Sequence, residues 1–577
     1  MKEIIKYLKP YKKQLVLVLF LVFGRSFASL FLPALMSNIV DKGIVNEDMA
    51  YIARVGAQML AVTLAGGIFA VGLSYVSSKV AMGFGRSLRK AVFTKAENFS
   101  VSEFNHFGTS SLITRTTNDI TQLQQLVLMG QRMMLAAPMM LLGSIIMAVS
   151  QDAVLSLIIV FAIPVISLVI FFMMKKTTPL FQSLQKKLDT LNMVLRESLI
   201  GIRVIRAFNK EEYEKKRFND ANLDLTETAL KVFKTMAFLM PLLTLLMNFS
   251  TIAVIWFGGI RVNNLQMQVG QLMAFIQYIM HIMFSLMMVS MIFVMIPRAA
   301  ASANRVGEVL SLDSKMKDPE NPKEPSNLKG KVEFQNVTFS YPSAENTAIT
   351  DITFSAEPGE TIAIIGGTGS GKSTLLNLLL RFYDLERENG SILVDGVDVR
   401  DMNQADLRKR IGFVPQKAIL FSGTVTDNIR YGKESASLEE IKKAAEIAQA
   451  TEFISGLPEG YDSLISQGGT NLSGGQKQRV SIARALVRRP EIYVFDDSFS
   501  ALDFKTDAKL RAALRKETSE ATKIIVAQRV STVTDADKII VLDEGRVVGI
   551  GRHKELLDTC QVYREIVASQ LSEEELA

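Results

Sequence analysis

The sequence predicts a multidomain membrane protein: a six-helix all-α membrane domain with long helical extensions beyond the bilayer, followed by an α/β domain. Three observations carry this. Hydrophobic residues make up 48% of the 577 residues, and the mean hydropathy is +0.22, above the range of soluble chains of this size. The excess is uneven, since all but Met316 and Met402 of the 27 methionines precede residue 300. From Val332 onward, short β-rich runs alternate with helical ones, the pattern of an α/β domain.

Residues 1–13 form a short basic stretch in which Ile4, Ile5 and Leu8 share a face bordered by Lys2, Lys6 and Lys9. This reads as an interfacial elbow helix lying on membrane lipid. The apolar run that follows is too long for a cleaved signal peptide. A bilayer core takes about 20 apolar residues per helix. Six stretches qualify, at about 15–40, 55–82, 133–149, 153–174, 236–258 and 273–296, within a membrane domain over 14–312. Three connections are short or sparsely basic. The other two, about 83–132 and 175–235, are long and rich in Lys and Arg. The positive-inside rule places these, both termini and the second domain in the cytoplasm of a multi-pass plasma-membrane protein.

The net charge of +7 suggests a nucleic-acid partner at first sight, but the same basic loops account for it, and no nucleic-acid partner is expected. A single cysteine, Cys560, excludes a disulfide framework and a Cys-based zinc site. His106, His281 and His553 are dispersed, against a histidine metal site. A linker over 313–331, with Pro319, Pro322 and Pro325, marks the boundary to a second domain over 332–577. The acidic end, residues 573–575, is expected to fray.

Within that domain, Gly366, Gly367, Thr368, Gly369, Ser370, Gly371, Lys372, Ser373 and Thr374 follow the P-loop pattern, between an apolar strand at 361–365 and a helical run at 375–380. The glycines let backbone N–H groups close around a phosphate, and the helix offers its positive end to the same group. Lys372 would reach the β/γ phosphates and Ser373 would hold Mg²⁺. ATP and Mg²⁺ are the implied ligands. A second apolar strand, 492–496, ends in Asp496, on the Mg²⁺ side, and Asp497 follows. An acid at that position orients the attacking water.

Between these two motifs lie Leu472, Ser473, Gly474, Gly475 and Gln476. With this third motif the chain resembles an ABC half-transporter of the exporter type, over essentially its whole length, and the second domain resembles an α/β P-loop ABC nucleotide-binding domain. The resemblance implies further roles. Tyr341 would stack on adenine. Gln416 would be the Q-loop glutamine that touches Mg²⁺ and faces the membrane domain. Leu472–Gln476 would be the signature motif, and Asp503 would close the D-loop and join the catalytic set with the residues at 497 and 528. The implied activity is transport ATP hydrolysis.

Two residues depart from the family pattern. The hydrolytic form carries Glu where this chain has Asp497, whose carboxylate is withdrawn by about an ångström, and such a misplacement can cost on the order of 10²-fold in rate. The switch position, usually His, is Gln528, which can donate a hydrogen bond but cannot carry a charge or relay a proton. Gln467, where homodimeric exporters often have Glu, is a softer third sign. Together they resemble the degenerate-site subunit of a heterodimeric bacterial multidrug exporter. The expected partner is a second, non-identical ABC half-transporter with an intact Walker B Glu and switch His, whose competent site this chain's signature motif would complete. A homodimer with two slow sites and a nucleotide-dependent regulatory subunit are the other readings.

Residues 107–119 and 201–212 resemble the two coupling-helix regions of exporters. For cargo, the methionines of the last two spans (Met236, Met240, Met247, Met273, Met280, Met283, Met287, Met288, Met291 and Met295) suit small hydrophobic or amphipathic compounds, although core packing or lipid contact accounts for most of them. Gln277, His281 and Ser285 form a polar row at i, i+4 and i+8, and Arg25 lies mid-span, where a charge is costly. Lipid, peptide or thiol export, or import on the same architecture, stand as alternatives.

Overall fold

The computed structural model describes residues 2–314, 316–325, 329–342 and 344–570. The acidic end at 573–575 and part of the expected linker at 313–331 lie outside these residues, as does the side chain of Met291. The chain divides into two compact units, residues 1–97 with 109–313, and residues 98–108 with 314–577.

The first unit is all α. Among the described residues six helices are long and apolar enough to cross a membrane: Glu3–Ile44, Met49–Glu97, Thr109–Gln151, Leu157–Ile200, Glu211–Asn263 and Val269–Val289. Five run well past the apolar stretches read from sequence, and the helix holding the sixth continues to Ser311. Only the apolar part answers to the bilayer. Beyond it, ordinary amphipathic periodicity carries the helix onward. The third is not regular: it holds wide turns at Arg115–Asp119 and Gly130–Met134, so its regular apolar part begins at Ala136 rather than near residue 133. The N-terminal segment is a short α-turn, Lys2–Ile5, and a 3₁₀ segment, Lys6–Tyr11; Pro10 lacks the N–H that a longer α-helix would use there.

The core of this unit gathers around the last helix, where Phe275, Tyr278, Ile279 and Ile282 pack with Ala148, Ile159 and Val254. Tyr278 donates its hydroxyl proton to the Leu30 carbonyl, 3.1 Å away. Asp152 and Arg261, on two of the short connections, form a half-buried ion pair at 2.8 Å. On a third, buried Asp41 accepts from the Gly270 N–H and from the Ser37 hydroxyl. Many large apolar side chains stay exposed, Val71, Phe161 and Trp256 among them, as lipid-facing or assembly-facing helices require. Arg25 and Gln277 are exposed, His281 is half-buried and Ser285 is buried. The Ser285 hydroxyl turns back to the His281 carbonyl at 2.7 Å, so the polar row does not present one polar face. Met273 and Met280 are exposed, whereas Met283 is buried.

The second unit is built on a six-stranded sheet, in the order Arg546–Gly551, Lys538–Asp543, Thr361–Gly366, Thr522–Val526, Ile492–Asp496, Ile411–Val414. All neighbours are parallel except the edge strand Arg546–Gly551. Parallel strands buried on both faces read as continuous apolar runs, and Thr522–Val526 is buried throughout. Alternate residues feed opposite cores: Ala363 and Ile365 enter one, Ile362 and Ile364 the other. A four-stranded antiparallel sheet, Ile349–Ala356, Val332–Phe339, Ser391–Val394 and Val397–Asp398, covers the second core.

The short helix Val101–Phe107 belongs to this second unit. Ser100 and Glu103 close a reciprocal capping box at its start, and its Asn105 hydrogen-bonds the Tyr383 hydroxyl. Residues 107–119, the stretch resembling a coupling region, therefore fall mostly in the first unit, as Thr109–Thr114 and the wide turn after it. The stretch resembling the second region holds the helix Ile202–Ala207, with Val204 and Phe208 exposed.

Candidate nucleotide site

Four parallel strands end at one edge of the sheet, and the segment leaving each supplies part of one cleft. Thr361–Gly366 feeds the P-loop, Ile492–Asp496 feeds Asp497, Thr522–Val526 feeds Gln528 and Ile411–Val414 feeds Gln416. The cleft holds about 600 Å³. Among the sequence-predicted residues, Tyr341, Thr368, Gly369, Gly371, Lys372, Ser373, Thr374, Gln416, Asp496, Asp497 and Gln528 line it.

The P-loop closes because two glycines take left-handed backbone. Gly369 has φ +85° and Gly371 φ +94°. Gly371 also caps the helix Lys372–Leu379, and a Cβ there would meet Ile349 Cγ2 at 2.4 Å. Lys372 turns its ammonium onto the Gly366 and Gly367 carbonyls, at 2.8 and 2.6 Å. Burial holds that ammonium below its usual range, against the pull of Asp497 and Asp496. A phosphate would replace these carbonyls as its partner.

Ser373 Oγ donates to Asp496 Oδ1 at 3.2 Å. Burial pushes the Asp496 carboxyl up; the Ser373 hydrogen bond opposes this and the Asp497 charge adds to it. A hydroxyl and a carboxylate already in contact offer the hard oxygen donors that Mg²⁺ takes together with phosphate oxygens. Ser373 and Asp496 are thus the residues that would hold the ion, which neutralises phosphate charge when bound. Gln416 instead hydrogen-bonds Asp497, Nε2 to Oδ2 at 3.1 Å. Asp497 is 8% exposed and has φ +46°, a conformation in which Asp is several-fold enriched among non-glycine residues.

Tyr341 meets Phe339 and Tyr383 edge-on, with ring centres 5.1 Å apart in both pairs, and its hydroxyl shares a hydrogen bond with Thr374 Oγ1 at 3.0 Å. The ring, held by these contacts, lines the cleft. Gln528 is exposed at the cleft wall.

Other predicted residues lie elsewhere. Ser370 is buried beneath the loop, and Gly366 and Gly367 contribute carbonyls to Lys372. Asp503 caps the helix Phe504–Glu517, accepting from the Thr506 N–H, and does not line the cleft. Leu472 is buried in the core. Ser473 and Gln476 form a reciprocal capping box at the start of Gly474–Leu486. Gly474 and Gly475 open that helix, and none of Leu472 to Gln476 lines the cleft. Sequence reasoning missed Thr347, Ala348, Glu544 and Gly545, which also line the cleft. Gly545 is a turn signal in the sequence, and both Glu544 and Gly545 take positive φ, but nothing in the sequence there signals a place at the site.

The chain matches the family model for the ABC transporter transmembrane region over residues 15–287 and that for the ABC transporter over residues 349–500. An ABC transporter ATP-binding protein of Mycobacterium tuberculosis is 43% identical over 98% of this chain and 97% of its own length. A fatty acid ABC transporter ATP-binding/permease protein of Mycobacterium bovis is 34% identical over 92% of this chain and 83% of its own. A solved bacterial Atm1-family ABC exporter with ATP bound superposes with a TM-score of 0.81 at 26% identity, covering 98% of this chain and 99% of that one.

Proposed function

The chain belongs to the ABC transporter family, as an exporter-type half-transporter whose ATPase is coupled to transport, and we propose that it is the degenerate-site half of a heterodimeric exporter. The observation that carries this is Asp497 beside Gln528 in one cleft. The first is one methylene short of the glutamate that places the attacking water. The second cannot carry charge toward a γ-phosphate. One oxygen of the Asp497 carboxylate is already engaged by Gln416. The signature helix, properly capped, supports a competent surface for a non-identical partner's nucleotide. ATP binding would close the paired nucleotide domains and shift the membrane helices from inward- to outward-facing. The basic long connections support a cytoplasmic nucleotide domain and cytoplasmic termini in the plasma membrane.

The proposed cargo is hydrophobic or amphipathic, as in multidrug efflux, in keeping with the exposed Met273 and Met280. The fatty-acid transporter among the relatives favours a second reading, acyl-lipid cargo on the same architecture.

The test is ATPase of this chain purified alone and co-purified with an adjacent-encoded half-transporter. Activity only in the pair, abolished by Glu→Gln at the partner's Walker B position and merely reduced by Asp497→Asn, is expected. Vigorous turnover by this chain alone would overturn the heterodimer.

A further inference from the structure

The switch segment is held from outside. The helix Val530–Val533 starts after Arg529, which offers no side-chain cap. Val530 is buried, and a buried N–H needs a partner. Gln570 supplies it: the Val530 N–H donates to Gln570 Oε1 at 2.9 Å. The same side-chain amide donates through Nε2 to the Gln528 carbonyl at 2.8 Å. One amide thus grips the backbone on both sides of Arg529. Its mount is firm. Gln570 follows the helix Gln561–Ala568, anchored by buried Tyr563 and Val567, and Tyr563 shares a hydrogen bond with His553 Nδ1 at 2.7 Å. Arg529 itself donates to the Ser500 carbonyl at 2.9 Å, and Arg511 to the Ser531 carbonyl at 2.8 Å.

We propose that Gln570 is a positioning residue for the switch, setting the backbone of residues 528–530 so that the Gln528 side chain faces the terminal phosphate of ATP. Gln528 lines the cleft but is tied to the protein through its carbonyl, so the amide of Gln570 fixes the point from which its side chain reaches. A carboxylate cannot make both bonds, because it has no proton to give the Gln528 carbonyl. The consequence is specific to nucleotides with a third phosphate. The proposal does not depend on the heterodimer; it rests only on Gln528 as the γ-phosphate contact.

The experiment photolabels this chain with 8-azido-ATP and 8-azido-ADP in the presence of Mg²⁺. It uses the full-length protein in lipid nanodiscs, with its partner where it has one, and reads the ratio of the two affinities. Gln570→Met keeps the length and removes both hydrogen bonds. It is expected to lower ATP-over-ADP preference about fivefold, the worth of roughly one net hydrogen bond. Gln570→Glu is expected to lower it as well, and Gln561→Met, at the start of the helix that precedes Gln570, to leave it unchanged. A merely structural loss would weaken both nucleotides together. An unchanged ratio in Gln570→Met, with Gln528→Ala lowering it, overturns the role of Gln570 alone. An unchanged ratio in Gln528→Ala overturns the switch contact on which it rests.

Discussion

Gln416 donates from Nε2 to the Asp497 carboxylate across 3.1 Å, so the residue leaving one strand of the central sheet restrains the residue leaving another. Asp497 is at the same time held by its own backbone, with φ +46° and its N–H on the Val526 carbonyl at 2.9 Å. Its short side chain therefore has little room to advance into the cleft. Replacing it by glutamate lengthens the reach without altering the charge. In a pair whose partner carries Glu→Gln at Walker B, where turnover is expected to be lost, Asp497→Glu is expected to restore ATPase to about tenfold or more above background. Asp497→Asn should restore none. Phosphate release under both backgrounds measures this, and no gain from Asp497→Glu would remove the short side chain as the cause of slow turnover.

Gly371→Ala tests the geometry of the P-loop. The position combines φ +94° with a Cβ site 2.4 Å from Ile349 Cγ2. Left-handed strain and overpacking each cost about 1–2 kcal/mol or more. The melting temperature of the nucleotide domain should fall by roughly 4–8 °C, and nucleotide binding should weaken with it. Gly369→Ala, where a Cβ meets nothing within 4 Å, should cost less. Thermal melts of the two variants side by side decide the matter.

Most of the nucleotide site was legible because its chemistry is local. Nine consecutive residues, Gly366 to Thr374, write both the loop and the start of its helix. Asp496 and Asp497 announce themselves at the end of an apolar run. The rest depends on contacts between distant segments. That Asn105 reaches Tyr383, and so ties the helix Val101–Phe107 to the second unit, follows from no periodicity. The capping role of Asp503 was open to reading, since Asp at the start of a helical run is a preferred N-cap, but the motif drew it into the catalytic set. In the membrane unit, apolar length located the spans and said little about their ends. The wide turns at Arg115–Asp119 and Gly130–Met134 have no signal in a hydropathy pattern.

Asp496 gives a pH dependence with a definite sign. Burial raises its folded-state value, with a further contribution from Asp497, so the native state binds more protons than the unfolded chain between the two values. Stability of the nucleotide-free protein from this group is therefore lost as pH rises through the raised value, and the cost persists at neutral pH. Asp496→Asn should raise the neutral-pH melting temperature of the nucleotide-free protein by a few degrees. It should also abolish the extra stabilisation by Mg·ATP, since a neutral amide is a poor ligand for the ion. In the unsubstituted chain, the Mg²⁺-dependent part of ATP affinity should weaken as pH falls toward the acid range. Melts from pH 5 to 8 with and without Mg·ATP check both halves.

Asp119 and Arg305 pair within the membrane unit. Asp119 is 3% exposed and accepts from Ser302 Oγ and Arg305 Nε, at 2.9 and 2.8 Å. The Arg305 side chain is 46% exposed, against 4% for that of Asp119. Arg115 then donates to Glu308 at 2.7 Å, one turn further along the last helix. The pair ties the wide turn of the third long helix to the end of the sixth. Its two partners are not equivalent. Without Asp119, the half-exposed guanidinium returns to water at little cost. Without Arg305, a buried carboxylate keeps the Ser302 hydroxyl and the more distant charge of Arg115, and losing the nearer cation costs more than losing the carboxylate, toward the lower end of the roughly 3–5 kcal/mol of a broken buried pair. Arg305→Ala should therefore destabilise the membrane unit more than Asp119→Asn does, and adding Asp119→Asn to Arg305→Ala should restore part of the loss. Melting and limited proteolysis of the three variants in lipid measure this. Equal losses from the two single changes, adding in the double, would mean that the carboxylate is wetter than its position in the fold implies.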